Sequence, residues 1–273
     1  MKKIFCIIFS VMLISTYLPI RNGKAETKPL KAAIIIDDFG GGIGGVEDFL
    51  EGDINITAAV MPFTEKSKEH AKWAHKNGFE VMVHLPMQPK KGKLSWLGPK
   101  PITINLSKIE VKKRVREAIK SVPYAKGLNN HMGSLAIENE EIVRGIVEVA
   151  KEKKLYLVDS ATSPKSKIPK IAKELGVPYL VRDVFLDDIS SSAHVAKQMG
   201  FLAQITEENG RGIAIGHVGI TGKVCSRGIV QSMQLYKKKQ IKIVPVSELI
   251  LDDFSEKYFK LNHNIFSSSA TSL

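Results

Sequence analysis

The stretch AAIIIDDFGGG, Ala32 to Gly42, decides the fold. An uninterrupted apolar run, Ala32 to Ile36, leads straight into two adjacent carboxylates, Asp37 and Asp38, and then into a cluster of glycines. A continuous apolar run rich in β-branched residues and bounded by glycine reads as a strand buried on both faces, the kind found in parallel sheets. Acids at the carboxyl end of such a strand stand where α/β folds place their active sites. Side chains alternate across a strand, so Asp37 and Asp38 are expected to face opposite ways and to do different work. One can bind a cation while the other handles a proton. The plainer use of such acids is to cap the next helix, but a cap needs one acid, and the glycines speak for close backbone approach.

Outward from this strand the chain alternates. Ile54–Val60 reads as a second strand, closed by Met61-Pro62. Thr64–Asn77 reads as a helix, with Thr64 as its N-cap and Gly78 as its stop. Phe79–Leu85 is a third strand and carries His84. Met87–Thr103 is a Pro/Gly/Lys loop holding Trp96, long for a compact domain and therefore a candidate substrate loop. Ser107 and Glu110 have capping-box spacing and start a helix through Lys120. Ala125–Asn129 is a strand that delivers Asn129, Asn130 and His131; a helix over Glu138–Lys153 follows, then a strand over Leu155–Val158 ending in Asp159. A helical segment at Ile168–Leu175 leads to a strand over Tyr179–Leu186, which ends in Asp187 and Asp188. Ser191–Asn209 is a helix, Gly212–Ile215 a strand ending in Gly216-His217, Ile229–Lys239 a helix and Ile241–Val246 the last strand. This alternation with short connections predicts a single α/β domain of about seven to eight parallel strands, as a closed or distorted (β/α) barrel or as an open doubly wound sheet.

The totals bound the class. The 273 residues, 44% hydrophobic and 25% charged, are ordinary for a globular protein. Lys2 and Lys3, the apolar stretch Ile4 to Ile20 and Gly23-Lys24-Ala25 follow the order of a secretory signal peptide cleaved after Ala25. An uncleaved membrane anchor is the alternative, but Ser10, Ser15, Thr16 and Pro19 interrupt the run, which is short for a span of roughly 20 residues. The expected boundaries are thus residues 1–25 for the signal peptide, 26–254 for the barrel domain and 255–273 for a loose tail ending in SSSATSL. The signal removes four cations and no acid, so a net charge of +12 becomes +8. A basic exported protein tends to stay near anionic polymers of the cell envelope, and touches a membrane only in passing through its signal. Nucleic acid is not expected, for lack of a basic helix, an aromatic stacking motif or zinc-finger spacing. No nucleotide cofactor is expected either, since neither G-x-G-x-x-G in a suitable setting nor a Walker motif occurs. Cys6 leaves with the signal and Cys225 stands alone, so no intramolecular disulfide is expected.

The chemistry-bearing residues share one topological position. Asp37 and Asp38, His84, His131, Asp159, Asp187 and Asp188, and His217 each fall at or just beyond the carboxyl end of an expected strand. Such ends converge on one face of a parallel sheet, so residues distant in sequence can form one site. Two histidines and a carboxylate make the N/O set that suits zinc and leave a position for water. A bound cation lowers the pKa of that water, Asp37 is placed to take its proton, and His217 to protonate a leaving group. A serine hydrolase is the weaker reading, because Ser134 lacks the G-x-S-x-G elbow.

Six motifs in order, IIIDDFG, GFEVMVHLPMQP, GLNNHMGS, LVDSATS, VFLDD and AIGHVG, resemble the divergent polysaccharide deacetylase family, a branch of the NodB-homology carbohydrate deacetylases. The resemblance runs from about Lys31 to Leu249 and implies a distorted (β/α) barrel with a metal-dependent hydrolase site. It implies Asp37 as general base, Asp38 as metal-binding acid and His217 as general acid, with Asp159 and Asp187 orienting it or lining the pocket. His84 matches the first histidine of the family's H-x-x-x-H metal motif. The second falls on Gln88, so His131 is the implied replacement ligand, and Asn129-Asn130-His131 stands where better-known members carry an arginine-proline motif. Asn130 and Trp96 are the expected substrate contacts, Trp96 as a sugar-stacking platform. The expectation is a secreted, zinc-type hydrolase removing N- or O-acetyl groups from cell-wall or extracellular polysaccharide or peptidoglycan. The alternatives are a non-catalytic envelope module that binds glycan or protein through the same pocket, and a metal hydrolase for an amide or phosphoester.

Overall fold

The central strand, β1 (Lys31–Phe39), is hydrogen-bonded on both sides, and Ala32 to Ile36 are fully buried. The structure is a computed structural model describing residues 29–252 except residue 43; the expected signal peptide (1–25) and tail (255–273) lie outside the described residues. The other strands are β2 (Thr57–Val60), β3 (Glu80–Met87), β4 (Ala125–Met132), β5 (Tyr156–Asp159), β6 (Tyr179–Val181), β7 (Val184–Phe185), β8 (Arg211–His217) and β9 (Lys242–Ile243). The helices are α1 (Glu47–Leu50), α2 (Ser67–Lys76), α3 (Lys108–Ser121), α4 (Glu140–Lys153), α5 (Ile168–Leu175), α6 (Ser192–Asn209) and α7 (Gly222–Lys238).

Every strand pair is parallel, in the order β6-β5-β4-β3-β2-β1-β8-β7, and β9 pairs the amino-terminal end of β1. The expected single strand Tyr179–Leu186 is in fact two, β6 on β5 and β7 on β8, separated by Arg182 and Asp183. The Arg182 N–H donates to Asp159 O, whereas the Asp183 N–H donates to Ile213 O on β8. The Asp183 carboxylate also accepts the Ile213 N–H at 2.8 Å, which fixes the kink. One segment therefore links the two ends of the strand order, and the sheet curls into a distorted (β/α) barrel. The open doubly wound sheet is excluded.

Alternation sorts the side chains into two layers. Ala33 and Ile35 cluster with Ala59, Met82, Val158, Ile213 and Ile215 inside the barrel. Ala32, Ile34 and Ile36 meet the helix faces, among them Val195 and Leu202 of α6 and Ile229 of α7. Each such isoleucine or leucine contributes about 1.5–3 kcal/mol by leaving water. At the amino end of the barrel the buried Glu80 Oε1 accepts from Tyr156 Oη at 2.8 Å and from the Ser247 N–H at 3.0 Å. That end is plugged, and the opposite end holds the strand-terminal acids and imidazoles.

Helix starts follow local chemistry. The Ser107–Glu110 capping box forms as expected at α3, while Asn139 and Ser191 cap α4 and α6. Thr64 does not cap α2; its hydroxyl donates to Gly40 O at 2.7 Å and braces the loop after β1.

Candidate metal centre

Asp37 and Asp38 do not obey simple alternation. The β1–β2 register slips between Ile36 and Phe39, and Asp38 has φ +70°, in the left-handed region. This bulge turns both acids onto one imidazole: Asp37 Oδ1 lies 3.5 Å from His84 Nδ1, and Asp38 Oδ1 lies 3.3 Å from His84 Nε2. Gly40 holds the turn with φ +106°. Its N–H donates to His70 Nδ1 at 2.9 Å, and a Cβ there would meet Thr64 Oγ1 at 2.7 Å and Met61 O at 2.9 Å. Burial holds the His70 pKa below the ordinary value, so the ring stays neutral and can accept. In sequence His70 carries no signal of this role; nothing in a helical Glu-His-Ala marks it as a brace.

Asp38, His84 and His131 come together. His131 Nδ1 is 3.1 Å from Asp38 Oδ1 and 3.1 Å from His84 Nε2, closing a triangle with the 3.3 Å Asp38–His84 edge. Ligands about 2.0–2.2 Å from one tetrahedral cation stand roughly 3.3 Å apart, so the three atoms are spaced as a zinc half-shell. Among the described residues, the buried Asp38 Oδ1 makes no aligned hydrogen bond and the buried His131 Nε2 has no partner. Orphaned buried polar atoms are costly, and a cation among them would relieve the Asp38 oxygen. The donor set therefore fits a divalent metal.

Asn129 completes this side. Its Oδ1 lies 2.8 Å from His84 Nδ1 and its Nδ2 donates to Asp37 Oδ1 at 2.8 Å. The flipped amide would set its oxygen against a carboxylate, so the orientation is determined. An amide oxygen only accepts; His84 thus carries a proton on Nδ1 and turns its Nε2 edge to Asp38 and His131. Burial works to raise the Asp38 pKa, but His131 and His84 outweigh it and hold the carboxyl well below the usual range. Burial dominates at Asp37, whose pKa is raised against the pull of His84 and His217. His84 loses basicity to burial and regains more from Asp37 and Asp38. Carboxylates that draw a proton to this ring would equally draw a cation.

His217 ends β8 directly across from Asp37 in the β1–β8 register. Its Nδ1 is 2.9 Å from Asp187 Oδ1; its backbone N–H, at 2.9 Å, and the Thr221 hydroxyl, at 2.7 Å, donate to Asp187 Oδ2. Burial pushes the imidazole pKa down, but the Asp187 hydrogen bond, with Asp37 behind it, carries it up to about 9. The Phe185 ring leans on the imidazole at 5.1 Å, and Arg182 lies 5.0 Å over Phe185.

The remaining expected residues stand outside the triangle and the His217–Asp187 pair. Asp159 Oδ1 accepts the Ala161 N–H at 2.9 Å, and among the described residues no hydrogen bond or ion pair joins it to His217. It shapes the loop after β5, while the Asp187 carboxylate is the acid hydrogen-bonded to His217 among the described residues. Asn130 is not a free hand for substrate: its Nδ2 donates to Met132 O at 2.8 Å and its Oδ1 accepts the Ser160 N–H at 2.9 Å. Gln88 stays out of the cluster, its Oε1 accepting the Ile104 N–H at 3.0 Å. Asp188 pairs with His194 at 2.7 Å. Trp96 stands 60% exposed in the loop after β3. Cys225 is free and buried beneath Gly216.

Comparison sets the chain's sequence and fold beside known proteins. The model of the divergent polysaccharide deacetylase family matches residues 34–250. An uncharacterized protein of Escherichia coli K12, YibQ, is 35% identical over 192 residues, 68% of this chain and 58% of that protein. An uncharacterized protein of Haemophilus influenzae is 34% identical over 188 residues, 68% of this chain and 66% of that protein. The chain thus spans less than two thirds of these relatives' lengths. Among solved structures, the uncharacterized ATU2773 of Agrobacterium tumefaciens C58 superposes with a TM-score of 0.75 at 18% identity, covering 82% of this chain and 91% of that one. The Xyl-CE4 domain of a xylanase from the hindgut metagenome of Trinervitermes trinervoides follows with a TM-score of 0.51 at 13% identity and the same coverage; both likenesses are of fold. With its matched region spanning β1 to the last described helical turn, the chain belongs to the divergent polysaccharide deacetylase family.

Proposed function

We infer that this chain is an exported, metal-dependent hydrolase that removes N- or O-acetyl groups from a cell-envelope or extracellular glycan. The observation that carries it is the Asp38–His84–His131 triangle, 3.1 to 3.3 Å on a side, with the buried Asp37 beside His84 and His217 across from Asp37 on β8. Zinc is the metal that this donor set suits best; a divalent ion bound there would polarise the acetyl carbonyl and make water acidic enough to deprotonate.

The chain's own residues supply the rest. Asp37 is buried, has a raised pKa and is held at Oδ1 by Asn129, as suits a base that takes a proton from the attacking water. His217 is protonated at neutral pH and gives its Nε2 proton to the departing sugar nitrogen or oxygen as the acyl bond breaks and acetate leaves. Asp187 holds that ring by its other nitrogen. Trp96 offers a face for a sugar ring. The signal-like residues 1–25 and the basic charge left behind them support an envelope location.

The test is metal analysis of the purified chain with acetate release from acetylated chitooligosaccharide and peptidoglycan. One transition metal per chain is expected, lost in His84→Ala and in His131→Ala, with release reduced about 10²–10⁴-fold in Asp37→Asn. A folded chain that takes up no metal ends the reading. Glycan binding that survives chelation, with no acetate released, points to a binding module instead.

A further inference from the structure

The excursion from Pro89 to Thr103 is a closed loop with fixed ends. Met87 bridges Ile102, the Gln88 N–H donates to Ile102 O at 2.9 Å, and Gln88 Oε1 holds the Ile104 N–H. Gln88 O accepts the N–H groups of Leu135 and Ala136 just past His131. The residue standing where a second metal histidine might be sought is thus the clamp of this loop. Compact loops whose ends are close and whose side chains anchor them are frequently functional.

The loop also straddles the mouth. On one side the Lys90 N–H donates to Ser134 Oγ at 3.0 Å, and a Cβ on Gly92 would lie 3.2 Å from Met132 Cε, next to His131. On the other side Gly98 approaches Met61 Cε, beyond the end of β2, and Leu97 is fully buried. Gly92 has φ +121°, a conformation that side chains disfavour, so the tip shape is built in. Among the side chains this anchored backbone presents to solvent are Trp96, Lys91 and Lys93. Between Glu80 and Glu110 the chain contains no acid, and among the described residues neither Lys91 nor Lys93 has an acidic partner, whereas Lys90 pairs with Glu138 and Lys100 with Glu117. A broad apolar ring flanked by two free ammonium groups suits a sugar ring that carries, or neighbours, a negative charge.

We propose that this loop is an anionic-glycan subsite: Trp96 stacks on the sugar, and Lys91 and Lys93 read a carboxylate or phosphate on the same polymer. This deepens the deacetylase reading by naming its substrate class, and rests on it only for the glycan.

The test is calorimetric binding of the full chain to matched N-acetylated probes, a hyaluronan hexasaccharide and neutral chitohexaose, with a phosphorylated dextran oligomer as the phosphate arm. At low salt at least one anionic probe should bind about tenfold tighter than chitohexaose, and the preference should shrink as salt rises. The exposed double substitution Lys91→Gln/Lys93→Gln should abolish the preference and leave chitohexaose binding unchanged. Trp96→Ala should weaken all binding about fivefold or more. Equal or tighter binding of chitohexaose than of both anionic probes, or an unchanged preference in the double variant, overturns the proposal. Metal content and acetate release of the same variants report separately on the hydrolase: a chain that releases no acetate yet prefers the anion loses that reading and keeps the subsite.

Discussion

His217 holds its proton more tightly than a free imidazole does. Its pKa of about 9 stands above the free-imidazole value of 6.5, so its pairing stabilises the fold fully below pH 6.5 and loses that contribution as pH rises through about 9. The gap corresponds to something on the order of 3 kcal/mol. Removing the Asp187 charge leaves burial, the largest influence, to push the pKa down. In Asp187→Asn the imidazole should therefore titrate well below 9, seen by NMR of the ring protons without any need for turnover. If acetate release is present, its alkaline limb should move down with it and the neutral rate should fall about 10²–10⁴-fold. An imidazole still titrating near 9 in that variant would contradict the assignment. At this scale the acids and histidines of the site were legible, because charged and ligating side chains at strand ends stand out from an apolar chain. Asn129 was not: an amide draws no attention until the β3–β4 register sets it beside His84. Asn130, equally polar in sequence, turns inward to brace the β5 loop.

Elements read well from sequence where one pattern governed them, and badly where two met. The run Ala32–Ile36 gave a central parallel strand, and the capping box gave the start of α3. The continuous Tyr179–Leu186 pattern hid a change of partner strand, because β6 and β7 are both half of one barrel seam and hydrophobicity does not record which neighbour it serves. The bulge at Asp37-Asp38 was hidden for a different reason. Alternation assumes regular pleating, and only Gly40, wedged between Thr64 and Met61, shows that pleating stops. That wedge makes a prediction. Gly40→Ala combines a disfavoured φ with contacts under 3.0 Å, and should cost about 2–4 kcal/mol. Gly42→Ala, whose Cβ would meet nothing, should stay within about 0.5 kcal/mol. Denaturant unfolding of the two variants separates them; equal stability would mean that Gly40 does not hold the bulge.

Across the molecule the two ends of the barrel are built for opposite purposes. At the amino end Glu80, Tyr156 and Ser247 close a polar plug. At the carboxyl end, left-handed backbone occurs at Asp38 near the end of β1, at Met132 closing β4 and at Ala161 just past β5, and among the described residues Asp38 and His131 keep buried atoms unpartnered. Strain and unsatisfied groups persist where the rest of the fold over-determines them, and here the interior layers and the helix-facing core do so. A cation that binds the folded mouth and not the unfolded chain must then stabilise the whole domain. At a hundred times its dissociation constant it contributes about 2.7 kcal/mol, which for a domain of this size raises Tm by roughly 5–10 °C. Thermal unfolding with zinc and with a chelator should show that gap in the unaltered chain. His131→Ala should unfold at one temperature in both, since it loses a vertex of the triangle while the core layers stay intact. A gap of the same size in His131→Ala would place the ion somewhere other than between Asp38 and His84. No gap in the unaltered chain would leave the buried Asp38 oxygen without the partner that its surroundings demand.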